Sequence, residues 1–370
     1  MTTTLAATFP APNTPVEIRE VPLPELDNNA ALMKVELSEV CGTDVHLQAG
    51  RLAETPYPLI PGHVSIGTLD RIRGTVTDIH GDPLSEGDRV TFLDVHETCH
   101  ACWHCLVAKA STRCPHRKVY GITYGLENEY TGGLTGGWAR HLHLMPGVRV
   151  IRADTLSAEA FMAGGCSLPT SLHAMDRAEI ALGDTVLVLG SGPVGLSCVI
   201  FAKMAGALKV LCIGAPDGRL ETAKAVGADE VFSIDGTTDD ERRDWVMQQT
   251  GGRGADVTIE AAGAPQAATQ SLRWTRDAGR VVIVGQYTDH GDVPLNPHLD
   301  LNKKHLDVRG CWGSDFSHFY RGVQILSAPN RSAPWQRVGL ERFGLEGAQT
   351  ALDRVKDAVI TKALIDPWAE

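Results

Sequence analysis

Residues 185–195, TVLVLGSGPVG, run an apolar stretch directly into three glycines spaced GxGxxG. Alone the spacing is a weak signal. Here it falls between a strand-like run and a helical period from Val194 to Ala205, where glycines permit a tight turn and a pyrophosphate can approach the helix N-terminus. Gly190, Gly192, Pro193, Val194 and Gly195 are therefore candidate dinucleotide-binding residues. Working downstream, KVLCIG (209–214), Leu220–Val226, VFSI (231–234), DVTIEAAG (256–263) and RVVIVGQ (280–286) continue the alternation of apolar strand and helical period. That alternation predicts a parallel sheet with crossover helices. Near the end of the second strand an acidic residue is expected to bind the adenosine ribose of NAD. Gly214 stands there instead. Its lack of a carboxylate admits a 2'-phosphate, yet Ala215 and Pro216 supply no cation for one. Asp217 is the acid left to reach the ribose, and Arg219 suits either cofactor. NAD is the expectation, with NADP the alternative.

Upstream the character differs. Within residues 16–150, ALMKVELSEV (31–40), GDRVTFLDV (87–95) and WARHLHLMPGVRVI (138–151) are short β-rich runs punctuated by Gly and Pro, which predicts a compact, mostly-β domain. From about Gly310 to Glu370 the elements are mixed, and this stretch is expected to pack back on the first domain. At 370 residues the chain is long for one core, so two domains are expected. The net charge of -11, with no Lys/Arg run to offset it locally, argues against nucleic acid as a partner. Met1 to Pro10 lacks a basic n-region and a long apolar core, so no secretory signal is read. The greasiest region, Pro193 to Ile213, is interrupted by Lys203 and Lys209 and fits a helix followed by a strand better than a membrane span. A cytoplasmic enzyme or binding protein is expected.

In a reducing compartment clustered cysteines favour metal over disulfides. CHACWHCLVAKASTRC (99–114) holds four of the nine cysteines. Cys99, Cys102, Cys105 and Cys114 can surround one tetrahedral zinc, a closed shell that stabilises rather than catalyses. His96, His100, His104 and His116 are then expected on the loop surface.

Cys41 opens CGTDVH, His63 sits in PGHVSIG and Cys166 in GGCSLPTSLH. No short spacing links them, and on residue chemistry alone each reads as a core residue. Together with the zinc loop and the glycine turn, however, these motifs resemble the zinc-dependent medium-chain dehydrogenase/reductase family, the alcohol dehydrogenase superfamily, over nearly the whole chain. The resemblance implies an α/β fold: a Rossmann-type doubly wound parallel sheet in residues 169–309, plus a mostly-β GroES-like catalytic domain in 1–168 and 310–370. It implies two zincs per chain, one held by Cys41, His63 and Cys166 and open to substrate, the other in the closed four-cysteine loop. It gives Thr43 the substrate hydroxyl, Asp44 the orientation of the His63 ring, and His46 the relay of a proton to solvent. Thr170, Val284 and Gln286 resemble positions beside the nicotinamide, and Lys362 a basic position near the pyrophosphate.

The function so implied is reversible hydride transfer between an alcohol, secondary and cyclic or terpenoid, and NAD(P). His96, Trp103 and Trp138 are candidate neighbours of the substrate. A homodimer or homotetramer, with no membrane partner, is expected. A zinc-dependent reductase of activated double bonds and a non-catalytic dinucleotide-binding protein are the alternatives. Against the family pattern, Val64 replaces a Glu after His63, Gly214 replaces the ribose acid, and eight residues rather than seven precede Cys114. None removes a proposed ligand.

Overall fold

The computed structural model describes residues 2–128 and 131–369 and divides into two compact units. One comprises Met1–Cys166, Asp315–Pro329 and Gly339–Glu370; the other comprises Ser167–Ser314 and Asn330–Val338.

The second unit is built around residues 185–195. Thr185–Leu189, Lys209–Gly214, Glu230–Ser233, Ala255–Glu260, Thr275–Ile283 and Asp307–Gly310 form a parallel six-stranded sheet in the order third, second, first, fourth, fifth, sixth. Its central strands read as unbroken apolar runs because both faces are covered, and Val186 to Leu189 are at most 2% exposed. Leu187, Leu189, Leu211, Ile213, Val246 and Trp274 share one apolar cluster. The first crossover helix spans Pro193–Met204. It starts one residue before the expected Val194, because proline's fixed φ suits the first helical position and its missing N–H has no partner to lose there.

The first unit is antiparallel in character. The long Ala30–Val40 strand is flanked by Ser65–Arg73, His141–Leu144 and Lys362–Ile365, and the sheet extends to Arg89–Phe92, Val150–Arg152 and Leu340–Phe343. The carboxy-terminal stretch thus enters the sheet of this unit through two strands. One registration positions the chemistry. Ser38 pairs with Ser65 across the sheet, so Cys41, three residues past Ser38, and His63, two before Ser65, leave the same end of the strand pair. Thr91 and Ser38 hydroxyls donate to the Ser65 and Val64 carbonyls there, at 2.9 and 3.2 Å, and pin that end. Trp138, fully buried against Phe9, donates its indole N–H to the Glu39 carbonyl at 2.9 Å. Among the described residues no helix is long and apolar enough to cross a membrane.

Candidate functional site

The Ala30–Val40 strand delivers Cys41 to the N-cap of a short helix, Gly42–Gln48, which carries Thr43, Asp44 and His46 on its first turns. Cys166 follows the Ala158–Gly164 helix through a single turn residue, Gly165. The sulfurs of Cys41 and Cys166 and a ring nitrogen of His63 all lie within 4.8 Å of one another. Cys41 Sγ is 4.0 Å from His63 Nε2. Cys41 and His63 are only 4% and 5% exposed, while Cys166 is partly exposed, so the cluster sits at the edge of the buried interior.

Burial alone would raise the Cys41 thiol, but the hydrogen bond from Cys166 and the charge of His63 outweigh it and hold Cys41 well below the ordinary thiol range. That shared hydrogen bond, with burial, pushes Cys166 well above it. Burial would lower His63, yet the adjacent Cys41 sulfur raises it to about 10. Two sulfurs and an imidazole at this distance form a donor set that fits a divalent zinc.

Asp44 departs from its expected role. Its carboxylate accepts the Cys41 N–H at 2.8 Å and the Gly62 N–H at 3.3 Å, while His63 Nδ1 is buried and makes no hydrogen bond among the described residues. Asp44 therefore holds the two backbone segments that carry Cys41 and His63, not the imidazole ring. Burial and the Cys41 charge raise it well above the usual carboxylate range.

The four-cysteine loop closes between the paired strands Val95–Glu97 and Lys118–Val119. Cys99, Cys102, Cys105 and Cys114 sulfurs also lie within 4.8 Å of one another, with Cys102–Cys105 and Cys99–Cys114 each at 3.6 Å. Backbone N–H groups of Cys99 and Cys102 donate to the Cys114 and Cys99 sulfurs at 3.3 Å, the usual second support of a thiolate cage. The Ala101 N–H holds Cys99 down to about 6, whereas burial and its sulfur neighbours push Cys105 up to about 12. Four donors fill a tetrahedral shell, while the three of the other cluster leave a position open. Elemental analysis of the purified protein is expected to find two zincs per chain; one or none contradicts the assignment.

His100 and His116 are exposed, as expected of surface histidines. His96 is instead buried, its ring nitrogens bonded to the Tyr124 hydroxyl at 2.8 Å and the Pro146 carbonyl at 3.0 Å. Of the proposed substrate neighbours, Trp138 belongs to the core and Trp103 is 63% exposed on the cysteine loop.

In the second unit, a cavity of about 850 Å³ is lined by Gly190, Gly192, Gly214, Arg219, Arg242 and Arg273, among others. A Cβ on Gly195 would fall 1.9 Å from the Gly190 carbonyl oxygen, so only glycine lets the helix start pack against the turn. A Cβ on Gly214 would lie 2.4 Å from the Ser191 hydroxyl, so this backbone has no room for an acidic side chain. Asp217 is exposed at the start of its helix and does not line the cavity. The glycine cradle at a helix N-terminus fits a dinucleotide pyrophosphate.

Pro193, Val194, Thr170, Val284 and Gln286 do not line this cavity. Thr170 sits half-buried on the Ser167–Ala178 helix; Val284 is buried, and Gln286 donates to the Ala264 carbonyl at 3.1 Å. Lys362 corrects the expectation most clearly. It is fully buried in its strand with Nζ against Glu39 Oε1, so its charge is already engaged and is not offered to a phosphate. Glu39 itself was overlooked in the sequence. The available signal was a carboxylate two residues before a candidate ligand, out of step with the strand's alternation, in which Lys34 and Glu36 face outward.

Among known proteins, residues 27–153 match the family model of an alcohol dehydrogenase GroES-like domain, and residues 193–328 that of a zinc-binding dehydrogenase. A 5-exo-hydroxycamphor dehydrogenase of Pseudomonas putida is 34% identical over 354 residues, covering 95% of each chain. The crystal structure of an alcohol dehydrogenase from Thermotoga maritima aligns with a TM-score of 0.92 at 30% identity, covering 99% of this chain and 100% of that one. A putative zinc-binding dehydrogenase from Sinorhizobium meliloti 1021, solved bound to NADP, aligns at 0.83 with 25% identity and the same coverage.

Proposed function

The chain belongs to the zinc-dependent medium-chain dehydrogenase/reductase family and is an NAD(P)-dependent zinc alcohol dehydrogenase, and on that premise we propose that it oxidises a secondary cyclic alcohol with NADP. The observation that carries the site assignment is the meeting of Cys41, His63 and Cys166 within 4.8 Å from three separate stretches of chain. Cys41, His63 and Cys166 would hold a zinc, which would supply Lewis-acid polarisation of the substrate oxygen.

The chain's own residues do the rest. Thr43, two residues past Cys41, hydrogen-bonds the substrate hydroxyl and accepts its proton into a relay. His46, one turn further along the same helix, passes that proton to solvent, a role that an imidazole's two ring nitrogens serve by taking a proton at one and releasing it at the other. Asp44 keeps the Cys41 and His63 backbones in register through its two N–H contacts. A bound nicotinamide would supply the acceptor for the carbinol hydride, while Thr43 and His46 carry the hydroxyl proton to water; the reverse would reduce a ketone.

The cyclic secondary alcohol is supported by the hydroxycamphor dehydrogenase, similar along almost its whole length. NADP is supported by the cavity lining. No carboxylate can stand at Gly214 to bind a ribose diol, whereas Arg219 and Arg242 both line the cavity with it. A guanidinium bonded to a 2'-phosphate contributes about 1.5–3 kcal/mol. Arg219→Ala is therefore expected to raise KM for NADP about 10- to 100-fold while changing KM for NAD about twofold or less; equal losses with both cofactors would refute the assignment. The deciding experiment is a dehydrogenation screen of varied alcohols with NADP and NAD separately, beside a panel of enones. Turnover of secondary cyclic alcohols supports the reading, and reduction of enones alone would transfer the site to double-bond chemistry.

A further inference from the structure

Resting on the reading of Cys41, His63 and Cys166 as the metal site, a second buried constellation beside it acquires a role. Glu39 is 1% exposed and Lys362 0%. They stand on neighbouring strands, Glu39 registered opposite Leu364, so Lys362, two residues from Leu364, is its diagonal neighbour on the same face of the sheet. A buried ion pair contributes little to net stability, because desolvating both charges cancels most of their attraction; an apolar pair of similar volume serves a core as well or better. Stability alone therefore does not account for it.

Its contacts do. Glu39 Oε2 accepts the Cys166 N–H at 2.6 Å, and Oε1 touches both Cys166 Sγ, at 3.6 Å, and Lys362 Nζ. Lys362 Nζ reaches the Gly164 carbonyl at 3.4 Å, so both charges grip the turn that presents Cys166. The turn is wrapped tightly on the carboxylate: a Cβ on Gly165 would fall 2.1 Å from Glu39 Oε2. Glu39 is not itself in the donor group, which consists of the two cysteines and the histidine.

We propose that Glu39, clamped by Lys362, is a positioning residue for the metal site, holding the Cys166 sulfur at its coordinating place through the Cys166 backbone N–H. A lone carboxylate in contact with a thiolate would repel it. Lys362 cancels that charge, so the clamp adds grip without adding net charge to two thiolates and a divalent cation.

The double variant Glu39→Leu/Lys362→Met tests this, since it removes the grip while leaving no unpaired buried charge. With the zinc-loaded protein and a chromophoric chelator, one zinc per chain is expected to leave about tenfold faster or more, as losing an outer support of a ligand commonly does. The other zinc, in the four-cysteine loop, leaves at the wild-type rate. In cobalt-substituted protein the thiolate-to-cobalt band shifts. Glu39→Asp, which keeps the ion pair but withdraws the carboxylate from Cys166, should also speed release and serves if the double variant does not fold. Wild-type release rates and an unchanged cobalt band in a folded variant overturn the clamp while leaving the metal site standing. A wild-type protein that holds only one zinc overturns the site reading and the clamp together.

Discussion

Cys41→Ser is expected to lower kcat at least about 10³-fold, because Lewis-acid polarisation supplies several kcal/mol to the barrier and each 1.36 kcal/mol is tenfold in rate. The fold should survive. Cys41 is the N-cap of the Gly42–Gln48 helix, and serine is among the preferred residues there, so the substitution removes a metal ligand without removing a helix start. The Asp44 carboxylate accepts the residue 41 backbone N–H, which the exchange leaves in place. The measurements are steady-state turnover, circular dichroism and zinc content, the last falling from two to one per chain. Full turnover, or two tightly held zincs in the variant, would mean that the open site lies elsewhere.

Cys99→Ser should have the opposite profile. Opening the four-thiolate shell releases the loop between Val95–Glu97 and Lys118–Val119, whose shape depends on sulfur contacts more than on apolar burial: Trp103, Leu106 and Val107 are all more than half exposed. Loss of a metal ligand belongs to the few single changes that cost on the order of 4 kcal/mol. In a domain of this size that lowers Tm by about 10 °C. At 25 °C, kcat per folded molecule is expected to stay within about twofold of wild type, since no residue of this loop belongs to the three-donor group. Thermal melts followed by turnover at low temperature check it. An unchanged Tm with collapsed turnover would exchange the roles of the two clusters.

What was legible in the sequence was local. The glycine turn after TVLVL is one strand, one bend and one helix start, and the structure has it where the pattern put it. The four-cysteine loop is likewise short enough for its own spacing to bring the sulfurs together. Roles that depend on which strand lies beside which were not legible. Asp44 was expected at the His63 ring and instead bonds backbone N–H groups, because the preceding Gly62 is what the fold brings within its reach. Lys362 was expected near a phosphate, yet the sheet registers its neighbour Ala363 beside Val40 and so delivers its charge to Glu39.

By itself, then, the sequence determined the nucleotide-type sheet, the zinc loop and the chemical identity of the candidate donors, because each follows from patterns a few residues long. Only the tertiary structure decided that Cys41, His63 and Cys166 meet, and that Glu39 is clamped between Cys166 and a lysine 323 positions away. Antiparallel registration sets those distances, and it depends on the packing of whole strands rather than on the spacing of any motif.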